Sequence, residues 1–269
     1  MPSVAAILGS AFHTLTGRLD LQAREIDTPY GTHVLHRVAD APQPAYVSFR
    51  HGLPHRLLPN QINYRAQAWA LQAVDCGALL VTSSVGVMDA AVPIYQPLLV
   101  EDLIMLENRL PDGSTCTMFE HPDPSHGHLV LEDGLFSSAL NGQVRRLAED
   151  AGGPIADEVV FAYVGGPRGK TAAENRVWPQ LGAQVNSMTL APEVVLANEL
   201  EIPSAGLVVG HKYSVPEGDV PASQDAMSDT LDHSREAQEQ IVRRFLEAAA
   251  PVSFGNQLYR FEAPGEPDA

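Results

Sequence analysis

Arg50 and His51, followed by Gly52, stand behind the short apolar run Ala45-Tyr46-Val47-Ser48-Phe49, so a guanidinium and an imidazole are expected side by side at a strand end. The arginine fork matches the geometry of phosphate oxygens and the histidine adds a second donor, although such a pair can also be plain solvated surface. Thr82-Ser83-Ser84, close to Gly86, follows the apolar run Ala78-Leu79-Leu80-Val81. Consecutive hydroxyls and backbone N–H groups there would make an anion nest, and a strand end rich in hydroxyl residues is the plainer alternative. Gly9-Ser10 closes Val4-Ala5-Ala6-Ile7-Leu8 and reads either as a turn or as a further phosphate contact.

The elements that must hold these groups repeat one pattern, an apolar strand whose far end carries small, hydroxyl or basic residues. Val159 to Val164 runs into Gly165-Gly166-Pro167-Arg168-Gly169-Lys170, and Thr171 with Glu174 then fits a capping box for a helix toward Leu181. Ala205 to Gly210 is a further buried strand ending in His211-Lys212-Tyr213-Ser214, and Pro97 to Val100 continues the theme. Helical spacing covers Asn63 to Val74, with Tyr64, Ala68 and Leu71 on one side, and Leu135 to Ala151. Two more helices are expected, Pro192 to Leu200, entered through Asn186-Ser187-Met188-Thr189, and Ser223 to Ala249. Uninterrupted apolar strands belong to a sheet covered by helices on both faces, and in open α/β sheets ligands sit outside the carboxyl ends of the strands. The sequence therefore predicts one α/β domain over 1–269 with a composite site, the residues from about 255 to 269 forming an exposed tail.

A chain of 269 residues that is 45% hydrophobic and 19% charged is an ordinary folded protein in composition. Its formal charge of −16 repels a nucleic-acid backbone or an anionic membrane over most of the surface, while a few local cations and N–H groups still admit a small anion such as phosphate. Cys76 and Cys116 have no paired spacing, which fits a reducing compartment. The stretch from Met1 to Phe12 lacks a basic start and a long apolar core, so a cytoplasmic location is expected.

His121, His126 and His128 invite a metal reading, but no cysteine or supporting pattern accompanies them, and Leu110 to His128 reads as a long functional loop; no metal is expected. Glu101 and Asp102, as neighbours on a strand, face opposite ways and make a poor acid/base pair.

Taken in order, these segments resemble the trimeric purine nucleoside phosphorylase and methylthioadenosine phosphorylase family, over most of the chain. The stretches that carry the likeness are Arg50-His51-Gly52 with His55, Pro59 and Asn63-Tyr64-Arg65-Ala66, Val81-Thr82-Ser83 with Gly86, Gly166-Pro167-Arg168 with Ala173-Glu174, and Met188-Thr189 before Pro192-Glu193-Val194. The resemblance implies a central mixed, mostly parallel β-sheet flanked by helices. It also implies phosphorolysis of a purine, or 5′-methylthio purine, nucleoside to free base and a sugar 1-phosphate, with inorganic phosphate as co-substrate and no cofactor. Ser10, Arg50, His51, Ser83, Ser84 and Thr189 fall where the family holds phosphate, and Met188, beside Ser187, where it packs on the ribose. His128 falls near the position from which a neighbouring subunit reaches the 5′ side of the sugar, so a homotrimer or a dimer of trimers is implied.

The base pocket departs from the family pattern. Gly169, followed by Lys170, stands where the family stacks an apolar ring on the purine, and Lys212 and Ser214 stand where it places Asn or Asp. Lys212, or else His211, is then the group expected to steady the leaving base, since a cation beside a departing anion is favourable in a closed site. Two alternatives remain: the same chemistry on a modified or non-standard nucleoside, and a catalytically weak homologue that serves as a binding or assembly subunit.

Overall fold

All six residues of the first strand, β1 (Ser3–Leu8), are buried. Side chains alternate across a strand, and here both faces meet a core. Val4, Ala6 and Leu8 pack with Leu140, Val144, Ile241 and Phe245. Ala5 and Ile7 pack on the other side with Ala70, Leu71, Val194 and Ala197. The molecule is thus three-layered, as the continuous apolar runs require. Truncating a filler such as Leu71 or Phe245 to Ala would cost about 2–5 kcal/mol.

The computed structural model describes residues 1–10, 12, 17–215 and 224–261. After β1 come β2 (Leu21–Thr28), β3 (Gly31–Val38), β4 (Ala45–Phe49), α1 (Tyr64–Ala73), β5 (Cys76–Val87), β6 (Pro97–Ile104) and β7 (His128–Val130). Then follow α2 (Ser138–Asp150), β8 (Asp157–Tyr163), α3 (Ala172–Gln180), β9 (Val185–Ser187), α4 (Ala191–Glu199), β10 (Ser204–Tyr213), α5 (Gln224–Ala248) and β11 (Gln257–Tyr259). Helices α1 and α4 cover one face of the sheet, α2 and α5 the other.

The nine-stranded sheet runs β10-β6-β8-β9-β5-β1-β4-β3-β2, and an extra β10–β5 pairing closes five of these strands into a small barrel. Parallel pairs make its centre, and antiparallel pairs occur at β2–β3, β3–β4, β5–β9 and β6–β10, so the sheet is mixed as expected. The long strand β5 organises the site. One edge pairs with β10 from Leu79 to Val87. The other pairs with β1 as far as Val81 and with β9 only from Gly86, which leaves a gap beside Thr82 to Val85.

Three expectations change. Thr82-Ser83-Ser84 lie inside β5, in register with Leu207, Val208 and Val209 of β10, rather than after a strand. Successive N–H groups of an extended strand point to opposite edges, so no anion nest forms there. Strand β10 likewise continues through Tyr213, with a bulge at His211 between the Gly210–Val85 and Lys212–Gly86 pairs. Finally, β11 lies in the segment read as an exposed tail: Gln257–Tyr259 pairs with β7, burying Leu258, because that edge would otherwise leave its backbone unpaired. Residues 262–269 lie outside the described ones.

Candidate active site

A cleft of about 420 Å³ opens at the gap in β5. Gly9 and Ser10 after β1, Arg50 and His51 after β4, and Ser83 and Ser84 of β5 line one end. Arg50 is 2% exposed. Its Nη1 donates to the Thr82 carbonyl at 2.7 Å, filling the strand gap, while Nε and Nη2 donate to the two carboxylate oxygens of Glu193 at 2.5 and 2.9 Å. Three of its five N–H groups are spent in this way. A Cβ on Gly9 would lie 3.0 Å from Nη1, so glycine keeps that approach open. The sequence reading gave the bidentate edge to phosphate; the fold gives it to Glu193, because a guanidinium buried this deeply needs a counter-charge.

His51 also behaves differently from expectation. Its Nδ1 lies 2.8 Å from the Leu57 carbonyl, an acceptor only, so that nitrogen carries the proton. Burial pushes the ring down to about 4, against the Leu57 hydrogen bond, with Arg50 and His55 adding to the fall. His55 stacks on it at 4.5 Å. The neutral ring presents Nε2 as an acceptor, suited to a P–O–H group rather than to a bare phosphate oxygen.

Glu193 reaches the site because of the turn that starts α4. Leu190, fully buried, has φ 75° and ψ −52°, and the Ala191 N–H donates back to the Thr189 carbonyl at 3.0 Å. This is the rare γ-turn with positive φ, a conformation costing about 1–3 kcal/mol for such a residue. It is held by the Leu190 N–H donating to Glu193 at 2.6 Å and by Leu190's place in the core. The turn brings Thr189 over β5, where its Oγ1 lies 3.4 Å from Ser83 Oγ, and Ser83 also donates to Ser187 Oγ at 3.1 Å. Ser187, Met188 and Thr189 all line the cleft. Met188 packs on Gly166, where a Cβ would come within 2.6 Å of its sulfur.

The far end is lined by Gly169, Lys170, Asn175, Asn186, His211, Lys212 and Ser214. The capping box of α3 forms as expected: Thr171 Oγ1 accepts from the Glu174 N–H at 3.2 Å and Glu174 accepts from the Thr171 N–H at 2.7 Å. Glu174 is also gripped by Arg168 through two bonds of 2.7 and 2.8 Å, which with the Thr171 amide hold its carboxyl down at about 2. The loop bearing Gly169 and Lys170 is thereby pinned at both ends. Lys170 is lowered by burial and then by Lys212. His211 is lowered by burial and then by Lys212.

Thus Ser10, Arg50, His51, Ser83, Ser84, Gly169, Lys170, Ser187, Met188, Thr189, His211, Lys212 and Ser214 share one cleft. His128 does not line it; it sits exposed on β7 with its ring edge-on to Phe261 at 5.4 Å. His126 stacks on Phe119, and among the described residues no cluster of His, Cys, Asp or Glu is placed to hold a metal ion. Sequence reasoning missed Glu193 as the partner of Arg50, although a glutamate in a helix's first turn is a readable capping signal. It also missed Asn175 and Asn186, for which no local signal exists.

A family model described as the phosphorylase superfamily matches residues 4–247. The chain belongs to that superfamily. Its relatives within the superfamily are purine and methylthiopurine nucleoside phosphorylases. It is 30% identical over 254 residues to a probable S-methyl-5′-thioinosine phosphorylase of Methanopyrus kandleri, covering 93% of this chain and 94% of the relative. It is 26% identical to a 6-oxopurine nucleoside phosphorylase of Pyrococcus furiosus over 94% of this chain and 93% of that one. The superfamily fold recurs in a methylthioadenosine phosphorylase from an antarctic soil metagenomic library, with a TM-score of 0.78 at 21% identity, covering 94% of this chain and 90% of that one.

Proposed function

We propose that the chain is a pentosyltransferase that cleaves a purine, or 5′-methylthio purine, nucleoside by phosphorolysis, with inorganic phosphate as co-substrate. One observation carries this reading. A buried arginine oriented by a carboxylate converges with the hydroxyls of Ser83, Ser187 and Thr189 at one end of a cleft whose other end carries Lys170 and Lys212. Phosphate is held at the first end by Ser10, Ser83, Ser84, Thr189 and Arg50, with His51 Nε2 accepting from its P–O–H. Met188 packs on the ribose.

A phosphate oxygen then bonds to C1′, and the C1′–N bond breaks with its electron pair passing to the base. The proton that hydrogen phosphate gives up balances the one the base takes. Lys212, or else His211, steadies the charge growing on the leaving base. Holding the two reactants in line supplies a large part of the acceleration. The working unit is a homotrimer, in which the exposed His128 of one subunit approaches the sugar of the next. The enzyme acts in the cytoplasm; no described helix is long and apolar enough to cross a membrane, and both cysteines are free and buried.

The test is phosphate-dependent turnover of adenosine, inosine, guanosine, methylthioadenosine and methylthioinosine, followed by mass spectrometry. Free base and sugar 1-phosphate forming only with phosphate present support the reading. Uptake of these nucleosides with no consumption of phosphate points instead to a binding subunit.

A further inference from the structure

The chain carries a formal charge of −16, yet among the described residues no carboxylate lines the cleft. Arg50 is matched by Glu193 beneath the floor, whereas Lys170 and Lys212, at the opposite end, have no ion-pair partner within 4.0 Å among the described residues. Two carboxamides border the same end. Asn186 of β9 is 1% exposed, and neither its Oδ1 nor its Nδ2 has a hydrogen-bond partner. Asn175 of α3 has a buried Oδ1, also without a partner. Buried polar side-chain atoms are almost always paired, so three orphans at one wall of one cleft point to a ligand that pairs them. Gly86, paired across the sheet with Asn186, leaves space there: a Cβ on it would stand 3.4 Å from Asn186 Oδ1 and against Ser214 Oγ. The bulge at His211 turns the end of β10 so that Lys212 falls opposite Gly86.

We propose that this end of the cleft takes a leaving base that is anionic at neutral pH, its charge held between Lys170 and Lys212 and its polar edge read by Asn186 and Asn175. The assignment rests on the phosphorolysis reading and deepens it by naming the substrate class. Two ammonium groups at one end of a cleft repel each other, and an anion between them relieves that repulsion. The depression of Lys170, by burial first and then by Lys212 against the pull of Glu174, agrees with that repulsion. The carboxamide of Asn186 offers both a donor and an acceptor, so it suits a ring edge that alternates N–H and C=O.

The test compares binding of urate, anionic at neutral pH, with that of hypoxanthine, neutral and of similar shape, by isothermal titration to the intact chain. Urate is expected to bind roughly tenfold or more tightly, the worth of one charge-assisted hydrogen bond. That preference should vanish in the Lys170→Met/Lys212→Met double variant. Asn186→Val should weaken both bases while raising the thermal midpoint, because it removes buried unpaired polar atoms; a purely structural asparagine would give lower stability and unchanged binding. Hypoxanthine binding as tightly as urate, neither base binding, or a preference that survives the double variant would each overturn the assignment. Xanthosine and inosine are assayed in parallel for phosphate-dependent cleavage. Equal cleavage of the two leaves phosphorolysis standing without the anionic base, whereas cleavage of neither of them, nor of any nucleoside in the screen above, removes the phosphorolysis reading while the titrations still decide the base.

Discussion

Removing the carboxylate of Glu193 tests whether the phosphate end is built on a buried ion pair. The side chains of Arg50 and Glu193 are 1% and 0% exposed, and the pair is bidentate. Leaving one buried charge without its partner costs about 3–5 kcal/mol. Glu193→Ala also deprives the Leu190 N–H of its acceptor, a group that costs about 1–3 kcal/mol when left unpaired. These losses share one network and do not simply add, so about 4 kcal/mol or more is expected from a total that is about 5–15 kcal/mol for ordinary domains. Urea unfolding followed by circular dichroism measures it. Glu193→Gln, which keeps the Leu190 bond, should lie between wild type and Ala. Arg50→Met/Glu193→Leu, which removes both charges, should recover most of the stability yet bind no phosphate. A loss under about 1 kcal/mol for Glu193→Ala, against the value for a buried pair, would refute the argument that the pair holds the site together.

Other outcomes follow from the same geometry. His33 and His51 are each pushed down to about 4, chiefly by burial, from an ordinary value of 6.5. The unfolded chain therefore takes up protons that the folded one refuses, and stability should fall as pH drops from about 6.5 toward about 4; an unchanged urea midpoint between about pH 7 and about pH 5.5 would contradict this. Gly166→Ala drives a methyl into Met188, so it should lower stability by about 1–3 kcal/mol and raise the nucleoside KM while leaving the phosphate KM in place, a split that steady-state kinetics reads directly. Lys212→Ala should cut kcat by roughly tenfold or more with phosphate binding retained, as expected for a group that acts on the leaving base, and unchanged turnover would give that role to another residue.

The sequence by itself determined what is local. Runs such as Val4 to Leu8 and Ala78 to Val81 have no polar face, so they had to become strands covered on both sides, and helices of matching spacing had to supply the cover. The capping box of Thr171 and Glu174 spans four residues and forms as read. Arg50, His51 and Ser83 stood out by type because anion chemistry uses few kinds of side chain, whereas Thr189 was pointed to only by the family resemblance. What each does was decided by tertiary structure. Glu193, 143 residues from Arg50, takes the guanidinium's bidentate edge, and the Leu57 carbonyl fixes which nitrogen of His51 carries the proton. Strands β5 and β10 ran on past their apolar cores because each found a partner edge, which put the hydroxyls and Lys212 inside strands rather than in loops. The orphan carboxamides of Asn175 and Asn186 left no trace in the sequence, since burial without a partner belongs to the packed molecule and to no local pattern. Hydrophobic periodicity fixes which face of an element is buried; only the three-dimensional arrangement fixes which polar group meets which.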